Sequence, residues 1–245
     1  MPAVALLLLA LACDGGAADD AATAGRIDEA AQGASAARTA PAADSAPAGS
    51  GVLSYGKVFP KDEGPNDAGF LAFRDTLLAI IARRDTAALL AVVDSNVKSS
   101  FGGDEGIVNF RGFWELDSPT SRLWATLEDV LRHGGSFEGG DFVAPYTFHA
   151  LPDSLDAFST LIVRDSAVRV HARRDAASAT LALLSYDLVP AADDLEPDTL
   201  WVAVALRDGG AGYIRAEQVR SPIDHRAFFT RRDGRWWLVM LLAGD

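Results

Sequence analysis

Trp201-Val202-Ala203-Val204-Ala205-Leu206 is an apolar run closed by Arg207-Asp208-Gly209-Gly210, and Gly212-Tyr213-Ile214 follows at once. Upstream, Val168-Arg169-Val170-His171 alternates as a half-buried strand should, and a second apolar run covers Thr180 to Val189. Gln218-Val219 completes the set. Short strands with turn signals every ten or so residues predict a small all-β unit, a barrel or sandwich, over residues 158–221.

The order of these runs resembles the bacterial SH3-like (SH3b) domain. That family shows a Val-Arg opening strand, an apolar hairpin, a Trp-x-x-Val strand, an Asp-Gly turn, and Gly-Tyr followed by an aliphatic residue. Here the matching residues are Val168-Arg169-Val170, Leu181 to Val189, Trp201 to Val204, Asp208-Gly209 and Gly212-Tyr213-Ile214. Two departures stand out. Arg173-Arg174-Asp175-Ala176-Ala177 replaces a Gly- or Pro-containing loop, and Ala191 to Thr199 forms an acidic insertion before Trp201. The resemblance implies a non-catalytic module that recognises cell-wall peptides or serves as a structural addition. Trp201 and Tyr213 are then the candidate binding residues, as an aromatic platform. Burial of both rings in the core is the competing reading.

On either side lies an α+β segment. Phe70, Phe73, Leu77, Ile80 and Ile81 recur at helical spacing, and Arg83 and Arg84 close that helix. Asp85 reads as the cap of a short helix through Leu89 and Leu90, and Val92 to Phe101 as a strand. Ile107, Phe110 and Trp114 suggest another short helix. Ser118-Pro119 predicts the start of a helix carrying Leu123, Trp124, Leu127, Val130 and Leu131, which stops at Gly134-Gly135. Phe142 to Phe148 reads as a strand interrupted by Pro145. At the C-terminus, Ala227 to Thr230, Asp233-Gly234 and Trp236 to Leu242 read as a hairpin. A small SH3-like barrel is complete without that hairpin, so the chain is expected to return and pair it with the first segment. The expected fold is α+β, a helical and antiparallel domain (66–157 and 222–245) with the all-β unit (158–221) inserted. Helices followed by a closing hairpin are weakly similar to the cone-shaped NTF2-like superfamily.

The chain opens with Leu6-Leu7-Leu8-Leu9-Ala10-Leu11-Ala12 and reaches its only cysteine at Cys13. An apolar core of about ten residues is too short to span a bilayer and fits a signal peptide. The small residues before Cys13 resemble the lipobox of bacterial lipoproteins. That resemblance implies cleavage after residue 12 and lipidation of Cys13, and so a lipid-anchored protein of the cell envelope. Ala10 stands where leucine is preferred, and the leader lacks Lys and Arg. Residues 14–65 are rich in Ala, Gly, Ser, Pro and Asp and are expected to be a disordered tether. As a coil of about fifty residues its ends lie roughly 40 Å apart.

Composition narrows the function. The 245 residues carry a formal net charge of -12, which argues against nucleic-acid partners. One cysteine and four histidines leave no basis for a disulfide framework or a metal site, and no cofactor is expected. Gly102-Gly103-Asp104-Glu105-Gly106 resembles the diguanylate cyclase signature without its phenylalanine. Ser95-Asn96-Val97-Lys98 matches Ser-x-x-Lys without partner motifs. Asp94, Asn96 and Glu105 fall at calcium-loop positions, but Lys98 and Ser99 break that loop. A glycine-rich turn accounts for all three. Ser221, Asp224 and His225 stand too close in sequence to converge as a triad. The leading expectation is a lipoprotein binding peptidoglycan or an envelope protein, touching the membrane only through its anchor. The alternatives are an enzyme whose pocket lies in the α+β domain, with Asp94, Asp104, Glu105 and His149 as its polar groups, and an assembly subunit.

Overall fold

A computed structural model describes residues 51–103, 105–194 and 199–244. The leader with Cys13, most of the expected tether, Asp104 and residues 195–198 lie outside the described residues.

Chain order is β1 (Gly56–Lys57), α1 (Ala68–Arg83), α2 (Thr86–Leu90), β2 (Val93–Lys98), α3 (Ile107–Phe113) and α4 (Leu123–Arg132). Then come β3 (Ser136–Glu138), β4 (Asp141–Ala144), β5 (Thr160–Val163), β6 (Val168–His171), β7 (Thr180–Leu184) and β8 (Asp187–Pro190). The chain ends with β9 (Trp201–Ala205), β10 (Ala211–Arg215), β11 (Val219–Arg220), β12 (Arg226–Arg232) and β13 (Arg235–Leu242). The protein is mixed α+β and mostly sheet.

Local chemistry explains the helices. The Asp67 carboxylate accepts from the Phe70 N–H at 2.8 Å and starts α1, while Asp85 accepts from Ala88 at 3.0 Å and starts α2. α4 begins at Leu123 rather than at Pro119. The Ser118 hydroxyl is shared with Thr120 at 2.8 Å, and Ser121 donates to the Trp114 carbonyl at 2.6 Å. The expected cap is thereby used in a turn one step earlier. The strand expected from Phe142 to Phe148 ends at Ala144, where Pro145 has no N–H to offer and a 3-10 turn (Tyr146–His149) follows.

A five-stranded sheet runs in the order β2-β13-β12-β4-β3, antiparallel except where β2 meets β13. Asp233 and Gly234 both adopt positive φ, 50° and 76°, which suits the tight turn joining β12 to β13. One face of this sheet packs on the helices around Phe70, Leu77, Leu127, Phe142, Phe229 and Leu238, all fully buried.

The middle strands form two four-stranded sheets, β1-β8-β5-β11 and β7-β6-β10-β9, around a separate core of Val163, Val170, Val189, Val204 and Ile214. The apolar stretch from Leu181 to Val189 is not a hairpin. β7 pairs with β6, whereas β8 pairs with β5 and β1. The crossing between sheets is fixed by Tyr186 at φ 59° and by the Asp187 carboxylate, which accepts from Ser185 N–H at 2.7 Å and Lys57 Nζ at 2.8 Å. No closed barrel forms among the described residues. The two sheets meet at the isolated bridges Ala191–Val204 and Val52–Leu206 and the few backbone hydrogen bonds beside them.

Residues 51–65, placed by composition in the tether, are part of the fold. Val52 is buried in the second core, Tyr55 N–H donates to the Leu188 carbonyl at 2.8 Å, and β1 lies beside β8. Val52, Leu53, Tyr55 and Val58 supply the large apolar side chains that residues 14–50 largely lack.

Candidate functional site

β9 and β10 pair with Arg215 opposite Trp201 and Tyr213 opposite Ala203. Strand alternation sends Val202, Val204 and Ile214 into the core, so Trp201, Tyr213 and Arg215 stand on the outward face. Both predicted aromatics are half-buried there rather than enclosed. The Arg215 guanidinium lies 4.6 Å from the Trp201 ring centre, and that of Arg174 lies 5.4 Å from the Tyr213 ring centre. His171 is the register partner of Tyr213 and meets Trp201 edge-on at 5.3 Å. It is buried, and its Nδ1 has no hydrogen-bond partner among the described residues.

Trp201 also forms one wall of a cavity of about 220 Å³. Leu161 and Val219 give that cavity an apolar floor, and Arg174, Asp193, Asp194 and Thr199 give it a polar rim. The acidic insertion therefore borders the cavity through its described residues. Tyr213 does not line it and reaches it only through Arg174.

Arg220, Ser221 and Asp224 also line the cavity, and the first and last of these belong to a charged cluster. Arg220 of β11 is buried, donates to Asp129 of α4 at 2.8 Å and to the His225 carbonyl, and lies 3.6 Å from Asp224. Arg164 reaches the other oxygen of Asp129 at 2.5 Å and contacts the His133 ring. Burial pushes the Asp224 carboxyl up, but the His225 hydrogen bond and the Arg220 charge together outweigh it and hold the group at about 2. Burial pushes the Tyr146 phenol up, against the opposing charges of Arg164 and Arg220. These ionic groups are committed to one another and tie α4 to the middle strands.

The other candidate groups do not converge. Asp94 is buried and is bound by Arg232 and the Asn96 N–H. Glu105 pairs with Lys98 at 3.1 Å, and His149 pairs with Glu138 at 3.2 Å. None of these three lines a described pocket, and Asp104 lies outside the described residues. Ser95 and Lys98 are both exposed on β2, and Lys98 is taken by Glu105. Ser221 accepts from the Ile223 N–H at 3.4 Å within a turn, while His225 bonds Asp224 and packs on Trp114. Among the described residues no group of three or more His, Cys, Asp or Glu side chains is placed to hold a metal.

The stacking of Arg215 on Trp201 and of Arg174 on Tyr213 was not read from the sequence, although part of the spacing was visible. Arg169 stands two residues before His171, and Arg215 two after Tyr213. In strands, that spacing puts each pair on one face.

Compared with protein families, curated proteins and solved structures, the chain matches no family model, no protein and no structure.

Proposed function

We propose that this chain is a lipid-anchored protein of the bacterial cell envelope that binds cell-wall material through residues 158–221, an SH3-like module completed by Val52 and β1 and inserted in a cone-like α+β domain, and that it is not a catalyst. The observation that carries this reading is the placement of Trp201. Its ring is on the outward face of β9 and also walls a cavity whose rim is polar. A flat ring beside hydroxyl, carboxylate and guanidinium groups suits a saccharide or a short peptide, which offers an apolar face and polar edges. The insertion reading is supported by two separate cores, and by a C-terminal hairpin that pairs with β4 and β2 on either side.

Binding is favoured over catalysis because the polar groups of the α+β part are separately paired. The space between its helices and sheet is filled by Phe70, Phe142 and Phe229. Tyr213, the second predicted contact, adds area under Arg174 at the side of the cavity.

The test is pelleting of the purified protein with cell-wall sacculi over a salt series. Saturable pelleting that Trp201→Ala removes is the expected result. Pelleting that is absent, or indifferent to that change, would sink the reading. The anchor is tested separately. Cys13→Ser is expected to move the protein from the membrane fraction to the soluble one, and membrane retention would refute lipidation.

A further inference from the structure

We propose that the outward face of β6, β10 and β9 binds an anionic polysaccharide, its carboxylates taken by Arg169, Arg215 and Arg174. This rests on the wall-binding reading above and adds the charge class of the ligand. The chain as a whole carries a formal charge of -12, yet this face gathers cations. Tyr213 is in register with His171. Two residues further along β10 stands Arg215, and two residues back along β6 stands Arg169, each on the same side of its own strand as that pair.

Guanidinium groups gathered on one face repel one another, and an anion bound among them relieves that repulsion. Among the described residues neither Arg169 nor Arg215 has a carboxylate partner. Arg174 has one, Asp193 at 3.5 Å, and both of those side chains are exposed. Stacking replaces ion pairing here. Arg215 over Trp201 and Arg174 over Tyr213 hold their guanidinium planes against the rings and leave N–H edges free. Such edges take carboxylates two bonds at a time.

The partner's class follows from the rest of the face. Leu183 of the neighbouring β7, 63% exposed, and Leu200 just before β9, 71% exposed, are the large aliphatic side chains that protrude near it, too little to insert into a bilayer. Double-stranded nucleic acid carries a charge every ~1.7 Å, a density that an acidic protein repels strongly. A sugar polymer with one carboxylate per residue is far less dense, and its rings offer surfaces for the flanking aromatics.

The experiment is equilibrium binding of the full chain to polygalacturonate and to the same polymer after reduction of its carboxyl groups. The expected result is binding to the first, weakened about tenfold in ~0.5 M NaCl, and none to the second. Arg169→Gln with Arg215→Gln is expected to lower affinity about tenfold in a protein that stays folded, and Arg169→Gln alone to lower it with the melting temperature unchanged. Should that double variant fail to fold, Arg169→Gln alone, at an exposed position, decides the matter by the same loss. Equal binding to both polymers, no binding to either, no effect of the arginine changes, or a preference for phosphatidylglycerol vesicles would each overturn the proposal. Sacculus pelleting run in parallel separates the two readings. Sacculi held through Trp201 with no loss in the arginine variant would leave the wall reading standing and remove this one. Polymer binding without sacculus binding would do the reverse.

Discussion

Arg220 in β11 and Asp129 in α4 form a 2.8 Å ion pair that ties the helical layer to the middle strands. The Arg220 side chain is only 3% exposed, while Asp129 keeps 37% of its side chain in water. A guanidinium so enclosed depends on its partners, and Arg164 leans on the same carboxylate. Asp129→Ala leaves two cations facing each other and is expected to cost about 2–3 kcal/mol, below the usual figure for a fully buried pair because water reaches one side. Urea unfolding measures this. A change below about 0.5 kcal/mol would show that the pair does not hold the layers together.

Asp224 gives the same region a pH dependence. Its folded pKa of about 2 lies below the ordinary 3.8, so the charged form is favoured by folding. That contribution is complete above about pH 4 and is lost as pH falls towards 2. With 43% of the side chain exposed, it amounts to about 1–2 kcal/mol after allowing for solvent screening. Asp187, whose carboxyl burial pushes up but Lys57, Ser185 and Ser54 pull below its usual range, slopes the same way. Chemical denaturation between pH 2 and 5 is expected to show a shallower slope for Asp224→Asn. An unchanged slope would assign the acid sensitivity elsewhere.

Elements with a strong local signal were legible in the sequence. Asp67, Asp85 and the spacing of Phe70, Leu77 and Ile81 mark α1 and α2 because capping and amphipathic periodicity act within a few residues. β12 and β13 were legible from Asp233-Gly234 and the apolar run after it. What failed was non-local. The separation of β7 from β8 depends on Asp187 meeting Lys57, which lies 130 residues away in the chain. β1 escaped notice because two residues carry no period of their own and follow a long stretch rich in Ala, Gly and Ser. For the site, Trp201 stood out by residue type, whereas the Asp129, Arg164 and Arg220 cluster joins three distant segments.

Gly135 is sterically required. A Cβ there would sit 2.1 Å from the Val143 carbonyl oxygen and 2.8 Å from the Phe142 ring, with the Glu63 N–H already bonded to the Gly135 carbonyl at 2.9 Å. Backbone lies on two sides, so little can give way. Gly135→Ala is expected to destabilise by about 3 kcal/mol. Gly209, at φ 84° with nothing within 4 Å of its would-be Cβ, is expected to cost only about 1–2 kcal/mol on the same change, from left-handed strain alone. Thermal melts of the two variants compare them directly, and equal losses would contradict the close approach.

Phe70 and Trp201 separate folding from binding. Phe70 is fully buried and meets Phe142 at 4.0 Å and Trp236 at 5.1 Å between ring centres, so Phe70→Ala is expected to cost about 3–5 kcal/mol. Trp201 is half-buried on an outward face, with one ring face already under Arg215. Its replacement by alanine removes a stacking pair and partial burial, about 1–2 kcal/mol. Circular dichroism and melting of Trp201→Ala should therefore report a folded protein while sacculus pelleting is lost. If that variant unfolded as readily as Phe70→Ala, the ring would be a structural support of the second core, and its place on the cavity wall would have no bearing on recognition.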